Sequence, residues 1–261
     1  MTEARTRLLE EMTWPEVKAA ADAGLPAVLA LGSTEQHGPH LPLNTDCVLP
    51  VSIAVAAAER YPLVVAPPIR YGAKSRALSG GGEGFPGTIS LQATTVLATV
   101  RDVLGGLARS GLTNVCIQAF HSENAALGWE AADLAVADHP GLKVLMLEHA
   151  MPALSEAELG EIFGDSFGGW ELEHAAHAET SLMLAVRPDL VLQDRMVDDA
   201  AARRPGWDVL PAPPEFVPET GVLWRASKSN AEAGRMMLDR AVARLVEALT
   251  TEFGTAPATT A

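Results

Sequence analysis

Short apolar runs alternate along the chain with longer stretches that predict helices. The runs at 26–32, 63–66, 114–119 and 142–147 have the length and aliphatic content of strands that are buried on both faces. The stretches with helical character span 13–24, 48–60, 91–110, 125–137, 154–163, 171–184 and 229–253. Strands that alternate with helices are typical of a parallel sheet covered on both sides. We therefore expect one α/β domain, a layered fold with a mostly parallel sheet flanked by helices.

The remaining segments predict loops. A polar loop at 33–46 follows the first strand, and a long glycine-rich loop covers 71–88. The proline-rich segment 203–224 is irregular and leaves room for one strand, and the tail 254–261 is expected to fray. No internal repeat, low-complexity linker or domain boundary interrupts residues 1–261. The whole chain is therefore predicted to form a single domain.

Composition and charge narrow the classes of partner. The hydrophobic share of 48% is ample for a buried core, and the formal net charge is −14 with acidic residues spread along the chain. This charge argues against binding nucleic acid or an anionic membrane surface, because both require a basic face. No apolar stretch is long enough for a bilayer, and the first residues lack the apolar region of a secretory signal. Cys47 and Cys116 are flanked by apolar residues and are expected in the core. We expect a cytoplasmic protein that acts on a small molecule.

Imidazole and carboxylate side chains follow two of the predicted strands. Glu35, His37 and Asp46 come after the first strand, and His121 and Glu123 come after the third. Ligands of parallel sheets bind beyond the carboxyl ends of the strands, so these side chains could meet at one point. A nitrogen and oxygen ligand set without sulfur suits zinc or manganese. The sequence therefore predicts a metal site at this edge of the sheet.

The charges in this set suit two divalent ions. Three carboxylates roughly balance two such ions, and Asp46 is the candidate that bridges them, as in hydrolytic sites in which a water between two metals is the nucleophile. Either loop alone would be more typical of a solvated turn, and only their joint placement favours metal. His40 follows Pro39 and is expected in a turn or behind the ligands rather than on an ion.

A third polar cluster lies at 173–179. On a continuous helix, His174 and His177 would share a face, and one of the cluster could deliver a proton to a leaving nitrogen. The alternative is a polar helix face without a role in chemistry. The metalloprotease pattern His-Glu-x-x-His is absent. Trp170 follows two glycines and could cover a flat ligand, although packing is the commoner role. The glycines at 79–87 do not form a phosphate loop and either allow close approach of a substrate or form a flexible loop.

These segments resemble the creatininase family. Residues 32–46 (GSTEQHGPHLPLNTD) look like its signature, and the later blocks follow in family order over about 13–250. Those blocks are 71–75 (YGAKS), 79–82 (SGGG), 85–88 (FPGT), 121–124 (HSEN), 169–174 (GWELEH), 179–184 (ETSLML) and 188–190 (PDL).

The resemblance implies a layered α/β fold, a homohexamer and a dinuclear zinc or manganese centre. By position, Glu35, Asp46 and His121 would hold one ion, and His37, Asp46 and Glu123 would hold the other. His174 would transfer the proton, and Glu123 would help to orient the water. The positions that would contact substrate are Ser79, Ser122, Trp170 and Glu171. The best-known activity of the family is hydrolysis of creatinine to creatine.

Several positions depart from true creatininases. Ser122 stands where they have tyrosine, Glu171 where aspartate is expected, and Ala119–Phe120 where they have Asn-Gly. Residues 148–150 replace an expected lid tryptophan. The residues that would bind metal all match the family pattern, whereas several residues that would surround the substrate differ from it. We therefore expect hydrolysis of a cyclic amide, creatinine or a close analogue. The alternatives are a linear amide, such as a formamide in a biosynthetic pathway or a short peptide, and a metal-binding protein without catalysis.

Overall fold

Four parallel strands form the central sheet. The structure is a computed structural model that describes residues 6–147, 154–199 and 207–254. The strand order is β2-β1-β3-β4, and the strands are β1 Ala27–Leu31, β2 Val64–Val65, β3 Asn114–Ala119 and β4 Lys143–Leu147. The predicted strands and the α/β class are confirmed. Because β1 and β3 are neighbours and parallel, the loops that leave their carboxyl ends start side by side.

Seven α-helices surround the sheet in the described residues. They are α1 Trp14–Asp22, α2 Thr45–Ala57, α3 Ala93–Arg109, α4 Asn124–Asp138, α5 Glu156–Phe163, α6 His177–Val186 and α7 Ala231–Phe253. Asn230 caps the start of α7, since its side-chain oxygen accepts a hydrogen bond from Ala233 N at 2.9 Å. None of the described helices has both the length and the apolar composition that crossing a bilayer requires.

Each face of the sheet packs against its own helices. Leu29 of β1 faces α3 and α4, where Leu104 is fully buried. Its neighbour Val28 faces α2 and α7, where Ile53 and Leu245 are buried. This alternation along β1 explains why the strand reads as a continuous apolar run. Both cysteines are buried and form no disulfide with each other, in line with their predicted place in the core.

Three predicted elements differ from the structure. A continuous helix over 171–184 is wrong, because a short 3-10 helix at Trp170–Leu172 and a turn precede α6, which begins at His177. Ala175 in that turn has a φ of 54°, which a helix cannot accommodate. The helix expected at 48–60 begins earlier, so Asp46 lies in its first turn. In the described part of 203–224 there is no strand, only a 3-10 helix at Pro214–Phe216. Residues 148–150 and the tail 255–261 lie outside the described residues.

Helices α6 and α7 pack closely against each other at Gly234. A β-carbon at this position would lie 1.9 Å from the backbone oxygen of Ser181, so Gly234→Ala must push the helices apart. Because overpacking typically costs about 1–3 kcal/mol, we expect the free energy of unfolding in urea to fall by at least that amount. The matched control is Gly160→Ala in α5, where nothing lies within 4 Å of the added carbon. That change should leave stability equal or raise it by up to about 1 kcal/mol. Equal losses in both variants would contradict the packing argument.

Candidate metal centre and active site

The loops after β1 and β3 bring four of the predicted ligands together. The Oε1 atom of Glu35 lies 2.9 Å from His121 Nδ1. Asp46 stands between two imidazoles, with Oδ1 3.2 Å from His37 Nε2 and Oδ2 3.5 Å from His121 Nδ1. All four side chains are buried. One carboxylate that faces two separate imidazoles is the arrangement expected of a bridging ligand.

Three sets of side chains in the described residues have ligand atoms within 4.8 Å of one another. The first is Glu35, Asp46 and His121, which is the set that the resemblance assigns to one ion. The others are His37 with Asp46 and Glu179, and Glu35 with His37 and His174.

Both histidines turn their outer nitrogen to a backbone carbonyl. His37 Nδ1 donates to Glu35 O at 3.1 Å, and His121 Nε2 donates to Ala73 O at 2.9 Å. A carbonyl oxygen only accepts, so each outer nitrogen carries a proton and each inner nitrogen is left to face carboxylates. Metal-binding histidines have this arrangement, because the outer hydrogen bond fixes the ring and the tautomer. His37 Nε2 and Asp46 Oδ2 are buried and make no hydrogen bond. These atoms fit the ligands of a cation.

The electrostatics of the cluster lead to the same conclusion. Burial would lower the pKa of His37, but Asp46 and Glu179 outweigh burial and raise that pKa to about 10. Burial likewise opposes protonation of His121, yet Glu35 and Asp46 raise its pKa well above the ordinary value. The carboxylates thus strongly favour a positive charge between these side chains. A divalent ion would supply that charge while both imidazoles remain neutral.

Asn124 holds this cluster to the sheet. Its amide nitrogen donates to Gly32 O at the end of β1, and its oxygen accepts from Ala73 N, both at 2.9 Å. Asn124 is also the first residue of α4, directly after His121 and Glu123. Its buried side chain therefore connects the loop after β3 with the end of β1 and with the glycine-rich loop 71–88. In the sequence, Asn124 stands out only as part of the block 121–124, and no role follows from its spacing.

His174 lies beside His37 but is held by a different partner. Their ring centroids are 4.5 Å apart. Gln36 accepts from Gly38 N at 2.8 Å and donates to Gly221 O at 2.9 Å, which orients its amide. Its nitrogen therefore faces His174 Nε2 at 2.9 Å and donates to it. Burial, helped by the charge on His37, lowers the pKa of His174 to about 4. His174 is thus a neutral imidazole next to the candidate ligands.

Two other histidines take no part in the cluster. His177 and His174 were expected on one helix face, but the turn before α6 separates them. His177 Nδ1 lies 3.0 Å from Ser166 Oγ, and its ring packs on Phe163 at 4.8 Å. His40 Nε2 lies 2.9 Å from Thr180 Oγ1.

Glu123 faces His121 from the opposite edge of the ring. Its Oε2 atom is 3.6 Å from His121 Nε2 and accepts from Ser122 Oγ at 2.9 Å. Its Oε1 atom accepts from Arg76 N at 3.2 Å and from Ser79 Oγ. Burial opposes ionisation, but His121 and these donors outweigh it and lower the pKa of Glu123. The structure therefore keeps Glu123 near the centre but apart from His37 and Asp46.

A cleft of about 660 Å³ opens over these residues. Apart from His37, which is fully buried, all the predicted site residues line it: Glu35, Asp46, Ser79, His121, Ser122, Glu123, Trp170, Glu171 and His174. The Trp170 ring packs edge-on against Phe167 at 5.2 Å and remains 38% exposed, so it is both packed and accessible at the rim.

A larger groove of about 1030 Å³ lies between α1 and α3. Trp14 and Leu107 are on its lining, and Asp22 is the only carboxylate among the described residues there. Without a set of convergent polar side chains, this groove offers no chemistry, and the smaller cleft is the candidate active site.

The chain matches the family model described as "Creatininase: Creatinine amidohydrolase" over residues 10–249. The chain belongs to the creatininase family. Among its relatives, the creatinine amidohydrolase of Pseudomonas putida is 38% identical, with 93% of this chain and 96% of the relative covered. A mycofactocin precursor peptide peptidase of Mycolicibacterium smegmatis is 35% identical over 66% of this chain and 63% of its own length.

Solved creatininases share the fold. A crystal structure of creatinine amidohydrolase superposes with a TM-score of 0.91 at 36% identity, covering 96% of this chain and 99% of that chain. Two further solved forms are described as "Creatininase Mn" and as a mutant of "Zn-Zn type", each with a TM-score of 0.90 at 36% identity, covering at least 95% of this chain and 99% of theirs.

Proposed function

We propose that this protein is a metal-dependent amidohydrolase that opens a small cyclic amide, creatinine or a close analogue, with two divalent ions of zinc, manganese or both. The observation that carries the proposal is the pair of histidines, His37 and His121, whose outer nitrogens donate to carbonyls while their inner nitrogens face shared carboxylates. The Pseudomonas relative supports creatinine as the substrate, and the zinc and manganese forms of creatininase support these metals.

Glu35, Asp46 and His121 would hold the first ion, and His37 and Asp46 would hold the second. The resemblance also gives Glu123 to the second ion. Ions in such a pair polarise the amide carbonyl and acidify water.

The remaining roles belong to the side chains of the cleft. His174 is neutral, so it can take a proton from the attacking water and give it to the departing ring nitrogen. Glu123, ionised and held by Ser79 and Ser122, would orient that water. Trp170 and Glu171 would contact the substrate at the rim, together with Ser79 and Ser122.

Replacing His174 by glutamine should keep both ions and lower kcat by about 10²–10⁴-fold, the usual contribution of a general acid or base. Metal analysis and steady-state kinetics on the metal-loaded protein measure the two effects. The matched control is His177→Gln, which changes a histidine that packs on Phe163 away from the cleft and should keep the rate. Full rate in His174→Gln would show that His174 is only structural.

A linear amide is the second candidate substrate. The mycobacterial relative described as a peptide peptidase favours it. So does Ser122, whose small side chain lines the cleft where creatininases carry a tyrosine. Hydrolysis of a peptide or formamide would require the same metal ligands and His174, because only the residues around the substrate differ from those of creatininases.

Creatinine turnover decides between the two candidates. The protein is stripped with a chelator, loaded with manganese or zinc, and assayed for creatine, with the stripped protein as control. Creatine formed only by the loaded protein is the expected result. If the protein binds two ions but forms no creatine, a linear amide becomes the favoured substrate. Formamides and short peptides would then be screened for hydrolysis. The proposal of a metal-dependent enzyme would be wrong if the protein bound no ion.

The proposal includes two properties that the resemblance or the composition suggests. The first is a homohexamer, which size-exclusion chromatography with light scattering measures. The second is a cytoplasmic location, which cell fractionation tests.

A further inference from the structure

Arg76 places a positive charge in a cleft that is otherwise rich in carboxylates. It lines the cleft together with Ser79, Ser122 and Glu123. Its Nε atom donates to Glu123 Oε1 at 3.4 Å, and its Nη1 atom donates to Asp208 Oδ2 at 3.2 Å. The side chain is 64% exposed, so the guanidinium group remains accessible to a molecule that enters the cleft.

The two ion pairs leave most of the guanidinium donors unused. An arginine side chain has five N–H donors, and the contacts to Glu123 and Asp208 use one each. Arg76 Nη2 makes no hydrogen bond to a described residue. A carboxylate accepts two parallel hydrogen bonds from a guanidinium group, and for this reason arginine is a common partner of carboxylates in binding sites. Arg76 can therefore bind a carboxylate and keep its contact with Glu123.

The position of Arg76 fits one end of a substrate whose amide lies at the candidate metal centre. Glu123 Oε1 accepts from Arg76, and Glu123 Oε2 lies 3.6 Å from His121 Nε2. A single carboxylate group thus separates the guanidinium group from a candidate metal ligand. Ser122 is short and donates to the same carboxylate, which leaves room beside Glu123 for a substituent of the substrate.

The charge of the metal-loaded cleft is compatible with an anionic substrate, although the formal net charge of the chain is −14. Two arginines, Arg76 and Arg244, are among the described residues that line the cleft. Six carboxylates line it with them: Glu35, Asp46, Glu123, Glu171, Glu173 and Glu179. Two divalent ions and two guanidinium groups balance these carboxylates. Because the local charge of a cleft rather than the net charge decides which ligand it attracts, a carboxylate is not repelled here.

We propose that the cleft takes an amide that also carries a carboxylate, and that Arg76 binds this carboxylate while the amide lies at the candidate metal centre. The inference rests on the proposed function, since it concerns the substrate of the same site. Creatinine has no carboxylate and would leave Arg76 without a role in binding. A lactam with a carboxyl substituent, an N-formyl amino acid and a peptide with a free C-terminus each have both groups.

The test compares amides that differ in the carboxylate. Three pairs serve as probes: pyroglutamate with 2-pyrrolidinone, N-formylglycine with N-methylformamide, and alanyl-alanine with its C-terminal amide. The protein is loaded with zinc or manganese, and mass spectrometry measures cleavage of the lactam, formamide or internal peptide bond, with creatinine assayed in parallel. In at least one pair, we expect kcat/KM for the acid to exceed that for its neutral partner by about 10–100-fold, the effect of a hydrogen bond to a charged group.

Arg76→Gln should remove this preference, so that the ratio of the two kcat/KM values falls to about one. Because both members of a pair use the same metal centre, the ratio cancels any effect of the variant on Glu123. Asp208→Asn removes the ion pair but keeps the guanidinium group, so it should keep the preference. If the Arg76–Asp208 pair had only a structural role, the two variants would behave alike. Arg60→Gln, which breaks an exposed ion pair with Asp239 outside the cleft, is the matched control and should also keep the preference.

Three results would overturn the inference and leave the proposed function intact. The first is hydrolysis of creatinine without hydrolysis of any probe. The second is the absence of a preference for the acids in the wild type. The third is a preference that survives in Arg76→Gln, or that is lost equally in Arg76→Gln and Asp208→Asn. If protein that holds two ions hydrolysed neither creatinine nor any probe, both the inference and the proposed function would be wrong.

Discussion

Replacing Asp46 by asparagine should remove both ions and abolish turnover. Asp46 Oδ1 faces His37 and Oδ2 faces His121, so each oxygen serves a different site. An amide nitrogen cannot bind a cation, and the substitution also removes one of the negative charges that attract the pair. Removing a residue that only hydrogen-bonds to a metal ligand typically weakens metal binding by about 10–100-fold. Removing a carboxylate that binds both ions directly should therefore weaken both sites by more. We expect less than one ion per chain after desalting.

Thermal unfolding provides an independent measure of the same effect. Ligands that bind only the native state raise its stability. Added zinc should therefore raise the melting temperature of the stripped wild type but not that of Asp46→Asn. Asp102→Asn, an exposed change on α3, should behave as the wild type. One tightly bound ion in Asp46→Asn would show that the two sites do not share this carboxylate.

That the candidate ligands after β1 and β3 lie close together could be predicted, because the pattern that places them is local. An apolar run identifies each strand, and the direction of a parallel sheet brings their ends together. Glu35 and His121 meet at 2.9 Å for this reason. No exact loop conformation was needed, only the order of strands and the side chains that follow them.

The approach of Glu179 to His37 could not be predicted in the same way. On a continuous helix over 171–184, His174 and Glu179 are five residues apart and point to different faces. The structure interrupts that helix at Ala175, which has a left-handed backbone conformation. Hydrophobic periodicity in the sequence does not reveal such a conformation at a non-glycine residue. The turn allows His174 to lie against His37 while Glu179 approaches the same imidazole from the start of α6.

The wall of the cleft depends on segments with little periodicity. Gln36 donates a hydrogen bond of 2.9 Å to the backbone oxygen of Gly221, which belongs to an irregular segment. A β-carbon at Gly221 would lie only 1.9 Å from the Gln36 amide oxygen. Such contacts join distant parts of the chain and have no counterpart in sequence spacing. The substrate therefore follows less directly from the sequence than the candidate metal ligands do.

Replacing His121 by alanine should remove one ion and keep the other, while turnover is lost. The first site would retain only Glu35 and Asp46, too few for a tightly bound ion, whereas His37 and its carboxylates do not depend on His121. Activity should fall to background, because the proposed mechanism uses both ions. Metal analysis, the creatinine or peptide assay and circular dichroism together measure content, rate and fold.

The contrast with Asp46→Asn makes this prediction specific. If Asp46 bridges, its loss empties both sites, and the loss of His121 empties one; a single shared site would give the same result for both variants. His139→Ala, at the opposite end of α4 from the metal loops, is the matched histidine control and should keep two ions and the full rate. Near-normal turnover in His121→Ala would refute the ligand assignment, because the variant would lack one of the two ions that the proposed mechanism uses.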